Sequence, residues 1–223
     1  MTQQLTLNIQ LRDDATFENY FSGSNEPVVH NIKSQTEPYV FLFGDTGTGK
    51  SHLLQAACLQ AGKNTLPVVY LPLNDPGLMP EMLEGLEEMS LIALDDIQTV
   101  IGDEGWERAL FNLYNRVREK GATMLVSSTE PLASLNIKLA DLKSRLSWGP
   151  IFQLGALSDA EKQLALQQRA KNRGLDLTDD VVTYLLKRSP RDMNSLFDLF
   201  EKLDKASLVE KRKLTIPFIK SYL

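Results

Sequence analysis

Short apolar runs alternate with longer amphipathic segments through the first two thirds of the chain. Each run has the length of a buried strand and is bounded by turn-forming residues, while the segments between them repeat apolar residues at helical spacing. This alternation predicts an α/β protein in which helices cover both faces of a parallel sheet, giving three layers. The predicted strands are Pro38–Phe43, Leu66–Leu73, Leu91–Leu94, Thr123–Thr129 and Ile151–Leu154.

Helices are predicted before and between these strands. Phe17, Tyr20 and Phe21 also have helix-like spacing, and aromatic residues in such a position are interpreted as packing residues. The segment around Trp106 is the longest, with Leu110 and Val117 on the same face. The predicted helices are Pro27–Ser34, Ser51–Gly62, Pro80–Met89, Gly102–Gly121 and Leu139–Trp148.

Strand signals stop near Leu157. Ser158 and Glu161 have the spacing of a helix capping box, and three further helical segments follow with turn residues between them. We therefore predict two domains, an α/β domain over residues 13–156 and a small all-helical domain over residues 157–223.

The first twelve residues form a separate segment. Leu5, Leu7 and Ile9 alternate with polar residues, which is the period of a strand. Two interpretations remain open: a short edge strand, or an extended peptide that inserts its leucines into a pocket of a partner protein.

Composition narrows the function classes. The net charge of −5 and the pI near 5.2 argue against a dedicated nucleic-acid surface, so protein or nucleotide partners are expected first. A single cysteine, Cys58, excludes an internal disulfide and lies in an apolar helical stripe, where burial is expected. Because no apolar run approaches membrane-spanning length and no signal peptide is evident, we expect a cytoplasmic protein without membrane contact.

The segment from Gly44 to Ser51 has the pattern of a phosphate-binding loop between a strand and a helix. Its glycines permit the tight turn, Lys50 adds a positive charge, and the Ser51 hydroxyl is a candidate Mg²⁺ ligand. The helix N-terminus also favours an anion. The residues predicted to bind the nucleotide phosphates are Gly44, Asp45, Thr46, Gly47, Thr48, Gly49, Lys50 and Ser51.

Two acids follow the third predicted strand, which is the Walker B arrangement. Asp95 is predicted to hold the Mg²⁺ shell, and Asp96 to orient or deprotonate an attacking water. Parallel strands bring their carboxyl ends to one edge of the sheet, so these acids are expected near the phosphate loop. Hydroxyl residues at the end of the fourth strand would reach the same edge.

Four stretches together resemble one family of AAA+ proteins. They are GTGKSHLLQA from Gly47, DDIQ from Asp95, LKSRLSWG from Leu142, and LTIPFIK from Leu214. The chain is similar to the AAA+ module of the DnaA/Hda family, which acts in bacterial replication initiation. The chain ends where the initiator continues into a DNA-binding domain, which favours a stand-alone regulatory member.

The resemblance implies roles for individual residues. Gly47 to His52 would surround the phosphates, Asp95 and Asp96 would be the Walker B acids, and Arg145 would be an arginine finger acting on a partner. The stretch Gln4, Leu5, Thr6, Leu7 and Ile9 resembles the sliding-clamp-binding pattern of regulatory members, although Asn8 replaces an apolar residue or proline.

Two positions depart from the family pattern. Thr129 stands where Asp is usual, and Asn194 where Arg is usual, while Arg191 lies nearly one helical turn earlier as a remaining nucleotide contact. These departures imply feeble ATP hydrolysis by the chain itself with nucleotide binding retained. By the residues alone, an arginine near a helix end such as Arg145 more often pairs with a local carboxylate than completes a neighbour's active site, and Trp148 is interpreted as packing.

The resemblance implies ADP or another nucleoside diphosphate, or ATP, with Mg²⁺ as cofactors. It implies DnaA and the DNA-loaded sliding clamp, the beta subunit of DNA polymerase III, as partners, with weak direct DNA binding at most. A homodimer or higher oligomer stays open. Two rival hypotheses are an autonomous ATPase of the helicase-loader type and a DNA-binding P-loop protein.

Overall fold

A computed structural model describes Leu11, residues 15–188 and residues 193–222. The chain divides into two compact units, with the principal division between Gly155 and Ala156. The first unit is built on a β-sheet, and the second contains only helices among its described residues. Within the described ranges no helix is long and apolar enough to cross a membrane.

The first unit contains a five-stranded, fully parallel sheet in the order β2-β3-β4-β1-β5. The central β4 pairs with β1 on one side, where Phe41 lies opposite Val126, and with β3 on the other, where Leu94 lies opposite Val126. The predicted parallel sheet is therefore confirmed. The strands are β1 (Tyr39–Phe43), β2 (Val68–Pro72), β3 (Leu91–Asp95), β4 (Thr123–Ser128) and β5 (Ile151–Gln153).

Helices pack on both faces because successive strand residues point in opposite directions. Along β1, Val40 and Leu42 belong to one apolar cluster, whereas Phe41 between them belongs to another. The first cluster includes Leu53, and the second includes Leu113. The helices of this unit are α1 (Glu26–Ser34), α2 (Lys50–Lys63), α3 (Glu104–Lys120) and α4 (Ala140–Leu146).

Helix α3 follows its sequence signals closely. The Asp103 carboxylate accepts a hydrogen bond from the Trp106 backbone N–H at 2.9 Å, and Gly121 ends the helix at φ 71°. Leu110 and Val117 are buried as predicted, whereas Trp106 is only partly covered.

One predicted helix is wrong, and one helix-like spacing does not form a helix. Residues 80–89 form two short 3₁₀ turns, Pro80–Leu83 and Leu86–Glu88, because Gly85 between them adopts φ +82° and interrupts the helical path. The segment with Phe17 and Tyr20 is a turn, although Phe17 is buried, so its aromatic spacing reflects packing. Leu66 is 42% exposed and lies outside β2.

The second unit is a helical domain, as predicted. Its helices are α5 (Asp159–Asn172), α6 (Asp179–Arg188), α7 (Met193–Glu210) and α8 (Ile216–Lys220). The predicted capping box is present, since the Glu161 backbone N–H donates to the Ser158 Oγ at 3.3 Å and the Ser158 backbone N–H donates to the Glu161 carboxylate at 2.8 Å. Leu166, Phe200 and Phe218 are fully buried in its core.

Candidate functional site

The loop between β1 and α2 has the backbone of a phosphate loop. Gly47 and Gly49 adopt φ +83° and +92°, a region that favours glycine. A Cβ atom added to Gly49 would also lie 2.6 Å from the Tyr20 ring, so close approach as well as conformation requires glycine there. Burial raises the pKa of Tyr20 to about 12. The turn delivers the chain into α2, whose N-terminus favours an anion.

Lys50 is the first residue of α2 and is only 5% exposed. Its ammonium donates to the carbonyl oxygens of Gly44 at 2.7 Å and Asp45 at 2.9 Å. Burial lowers the pKa of Lys50, and the nearby carboxylates, Asp96 foremost, partly oppose that effect. The loop therefore holds a desolvated cation at its base, and such a charge interacts strongly with a phosphate.

Asp95 ends β3 and is 2% exposed. Its carboxylate accepts hydrogen bonds from the Tyr70 hydroxyl of β2 at 2.7 Å and from the Ser127 hydroxyl of β4. Burial raises the pKa of Tyr70, and the negative charge of Asp95 raises it further, so Tyr70 remains a donor. Hydroxyl groups on the two neighbouring parallel strands thus hold the Asp95 carboxylate as a hydrogen-bond acceptor, at the edge of the sheet where the sequence predicted the acids.

Asp96 follows in the left-handed region, at φ 59° and ψ 47°. Its two carboxylate oxygens accept one hydrogen bond each at 3.0 Å, from the Asn74 amide and the Gln98 amide. The Gln98 carbonyl oxygen in turn accepts from the Thr129 backbone N–H at 3.1 Å. Sequence reasoning missed Asn74 and Gln98, and the DDIQ stretch was the only local signal for Gln98.

The donor set fits a magnesium nucleotide better than free magnesium. No group of three or more His, Cys, Asp or Glu side chains that could hold a metal occurs in the described part of the chain. Mg²⁺ usually takes one or two protein carboxylates together with phosphate oxygens and waters. Asp95 and the Ser51 hydroxyl supply that kind of incomplete oxygen set, to which bound phosphates would add.

His52 lies in the first turn of α2, beside the predicted phosphate contacts. Its Nε2 is 2.8 Å from the Thr16 carbonyl oxygen, and its ring centroid is 5.4 Å from that of Tyr20. The structure thus places this ring against the segment that precedes α1.

Arg145 lies in the last turn of α4 and is partly exposed. Its guanidinium carbon is 4.2 Å from the Trp148 ring centroid and 5.9 Å from that of Phe111. No carboxylate pairs with Arg145 within the ranges that the structure describes. The local ion pair that the sequence left open is therefore not found there, and aromatic rings hold the side chain instead.

Glu107 of α3 anchors the segment that leads into α4, and sequence reasoning missed it. This carboxylate is 1% exposed and accepts three backbone N–H bonds, from Gly102 at 2.8 Å, Lys138 at 3.1 Å and Leu139 at 2.7 Å. Burial alone would raise the pKa of Glu107, but these bonds outweigh it and lower the pKa. An acid next to the apolar face of α3 was the only signal in the sequence.

Several predicted site residues lie outside the described residues. These are Arg191, the side chain of Asn194, and the clamp-binding stretch Gln4, Leu5, Thr6, Leu7 and Ile9.

A phosphate loop, paired acids at the end of β3, the parallel order β2-β3-β4-β1-β5 and a helical second unit are the elements of an AAA+ fold with an all-helical lid domain. The fold is similar to domain III of DnaA from Thermotoga maritima, at a TM-score of 0.78 and 19% identity over 95% of this chain and 96% of that one. AMPPCP-bound DnaA from Aquifex aeolicus matches at 0.73 and 23% identity, over 88% of this chain and 67% of that one. The Thermotoga maritima RuvB branch migration motor matches at 0.65 and 17% identity, over 90% and 66%.

Residues 159–223 match the family model for the lid domain of Hda. This match covers the helical second unit, and the likeness of the whole chain to DnaA is one of fold.

Proposed function

We propose that this protein is a nucleotide-bound regulator of replication initiation that, with the DNA-loaded sliding clamp, stimulates hydrolysis of ATP bound to DnaA and so prevents re-initiation. The observation that carries the proposal is the state of Arg145. It is a partly exposed guanidinium held by aromatic rings, with no carboxylate partner among the described residues.

A guanidinium in that state suits action on another protein's nucleotide. It is charged at every physiological pH, and its planar fork can bind two oxygens at once. Charge spread over the oxygens of a transferring phosphoryl group is stabilised by such a donor, and arginine fingers are worth roughly 10³ to 10⁵ in rate. Arg145 would supply this donor in trans.

The protein's own nucleotide would serve mainly to stabilise it. The loop N–H groups and Lys50 would bind the phosphates, and Ser51 with Asp95 would hold Mg²⁺, which neutralises phosphate charge when bound. The AMPPCP-bound DnaA structure supports nucleotide binding by this fold. Asp96 is already bound by two amides, which suits an orienting acceptor and weak hydrolysis by the chain itself.

The clamp would recruit the protein to replicated DNA through Gln4, Leu5, Thr6, Leu7 and Ile9. An extended peptide of this pattern places alternate apolar side chains in a pocket and gains direction from a polar contact. Replacing Leu5 and Leu7 with alanine should weaken clamp binding, measured by surface plasmon resonance, with the melting temperature unchanged. A large loss of stability would instead assign both leucines to the protein's own core.

Hydrolysis of labelled ATP on DnaA tests the proposal directly. The reaction would contain DnaA-ATP, DNA-loaded clamp and this protein, with each component omitted in turn. We expect stimulation only in the complete mixture, its loss with Arg145→Ala, and its retention with Arg108→Ala. Arg108 is a matched control because it is highly exposed on α3 and lies 4.0 Å from Glu104. Full stimulation by Arg145→Ala would refute the proposal.

The rival function is an autonomous ATPase, which the presence of both Walker B acids at the end of β3 favours. Vigorous ATP turnover by the purified protein without DnaA would establish this rival.

A further inference from the structure

Trp148 lies beside two arginines in the first unit. The guanidinium carbons of Arg118 and Arg145 are each 4.2 Å from the centroid of its ring, within the range of a cation–π contact. Trp148 is nevertheless 46% exposed. Neither arginine forms an ion pair within the described residues, so the three side chains make an exposed group with two unneutralised charges.

The indole is attached to rigid parts of the unit. The next residue, Gly149, runs so close to β1 that an added Cβ atom would lie 1.9 Å from the Tyr39 carbonyl oxygen. Tyr114 of α3 meets the indole edge-on at 6.1 Å and stacks on Tyr39 at 4.7 Å. The Trp148 backbone N–H also donates to the Arg145 carbonyl at 3.1 Å. The Trp148 indole is therefore a rigid surface beside the long and otherwise flexible side chain of Arg145.

We propose that Trp148 is the positioning residue of Arg145, and that Arg118 on the same indole makes this group a binding surface for the polyphosphate of a partner's nucleotide. The inference rests on the proposed function. An aromatic ring engages the positive guanidinium as a whole, whereas the N–H donors radiate from its edge. Contact with the indole can therefore restrict Arg145 while leaving donors available for phosphate oxygens.

The positive charge of Arg118 gives this surface a preference for multiply charged anions. Arg118 and Arg145 place two like charges beside one indole, and an anion bound by both would relieve their repulsion. A multiply charged phosphate chain gains more from the pair than a single carboxylate does. Salt should weaken the contribution of Arg118 because it acts at an exposed site.

Kinetics separate positioning from docking. Trp148→Ala should lower the maximal stimulation of DnaA-bound ATP hydrolysis by roughly 10²-fold, because a finger displaced by about 1 Å loses that much. The half-saturating concentration of the protein should stay unchanged, and Trp148→Phe should restore most of the rate. In an Arg145→Ala background, Trp148→Ala should have no further effect. A raised half-saturating concentration, or an equal effect in both backgrounds, would overturn the proposal in favour of a docking residue.

Arg118→Gln should lower stimulation about threefold at low salt and less at high salt, with Arg108→Gln as the control on the same helix. Equal effects of the two substitutions would remove Arg118 from the surface.

Fluorescence tests the group without any partner. In a Trp106→Phe protein, Trp148 is the sole tryptophan, since the chain has two. Arg145→Ala and Arg118→Ala should each change its emission and its quenching by acrylamide, and Arg108→Ala should not. Unchanged emission with Arg145→Ala would overturn the inference. If the emission responds as expected and the wild-type protein fails to stimulate DnaA, the contact stands and the proposed function is the part that fails.

Discussion

Charged side chains have opposite environments in the phosphate-loop region and in the surface formed by Arg145, Trp148 and Arg118, here called the Arg145 surface. Lys50 and Asp95 are nearly fully buried, and each binds two polar partners of its own unit. The Arg145 guanidinium pairs with no carboxylate among the described residues and lies against two aromatic rings, of which that of Trp148 belongs to a residue 46% exposed. Internal partners keep a binding site rigid before its ligand arrives, whereas a cation without a carboxylate is able to act outside its own chain. Under the proposed function, the first region is a site for this protein's own nucleotide and the second is a surface for a partner's nucleotide.

The largest expected effect is on the stimulated rate of ATP hydrolysis and comes from a substitution in the Arg145 surface alone. Arg145→Lys should lose most of the roughly 10³ to 10⁵ in stimulated rate, because an ammonium keeps the charge but lacks the planar fork. Stimulated hydrolysis on DnaA measures it, and nucleotide binding by the variant serves as the control. A lysine variant with near wild-type rate would show that charge alone is sufficient.

Gly149→Ala should disturb the same surface through its scaffold. The added Cβ would lie 1.9 Å from the Tyr39 carbonyl, so the chain must shift at a cost of about 3 kcal/mol in the free energy of unfolding. Gly62→Ala is the matched control, since a Cβ there meets nothing within 4 Å in helix α2. Urea denaturation measures both, and equal midpoints for the two variants would contradict the close approach.

Lys50→Ala should disrupt the phosphate-loop region, the other region of the comparison, by removing its nucleotide binding. A nucleotide at about 100 times its Kd stabilises the folded protein by about 2.7 kcal/mol, and this increment should disappear without the ammonium. Differential scanning calorimetry with and without ADP and ATP gives the result. Trp148 emission should not change. A nucleotide-dependent rise in melting temperature that survives the substitution would remove the loop from the binding site.

Glu107→Gln should have the smallest effect on the free energy of unfolding. This buried acid sharpens the comparison because it binds the segment that leads into α4, which carries Arg145, without contacting Arg145 itself. We expect a loss of about 2 kcal/mol at neutral pH, since bonds from backbone N–H groups to a charge are replaced by weaker ones. The folded-state pKa of Glu107 is lowered, so its contribution is present above the unfolded value near 4.5 and is lost as pH falls through the folded value. Stability measured from pH 7 down to pH 3 should therefore converge for the two proteins. Parallel curves would contradict this.

Local patterns predicted most of the fold. Apolar runs, the capping box and the Gly44–Ser51 loop depend on neighbours in sequence, and the sheet and the helical unit agree with them. Residues 80–89 were predicted wrongly because the pattern of apolar positions outweighed Gly85, whose left-handed conformation interrupts the helix. A periodic pattern does not report backbone conformation at one glycine.

The sequence by itself determined which groups are the candidates for the chemistry: the loop with Lys50, the acids Asp95 and Asp96, and the arginine in LKSRLSWG. Only the tertiary structure decided what each group touches. The Glu107 carboxylate accepts hydrogen bonds from the backbone N–H groups of Lys138 and Leu139, which lie beyond the end of its own helix. Arg145 and Arg118 of α3 both contact the Trp148 indole. Such partners are distant along the chain, and the packing of α3 and α4 against one sheet brings them together. A sequence pattern reports only the residues that one local element places on one face.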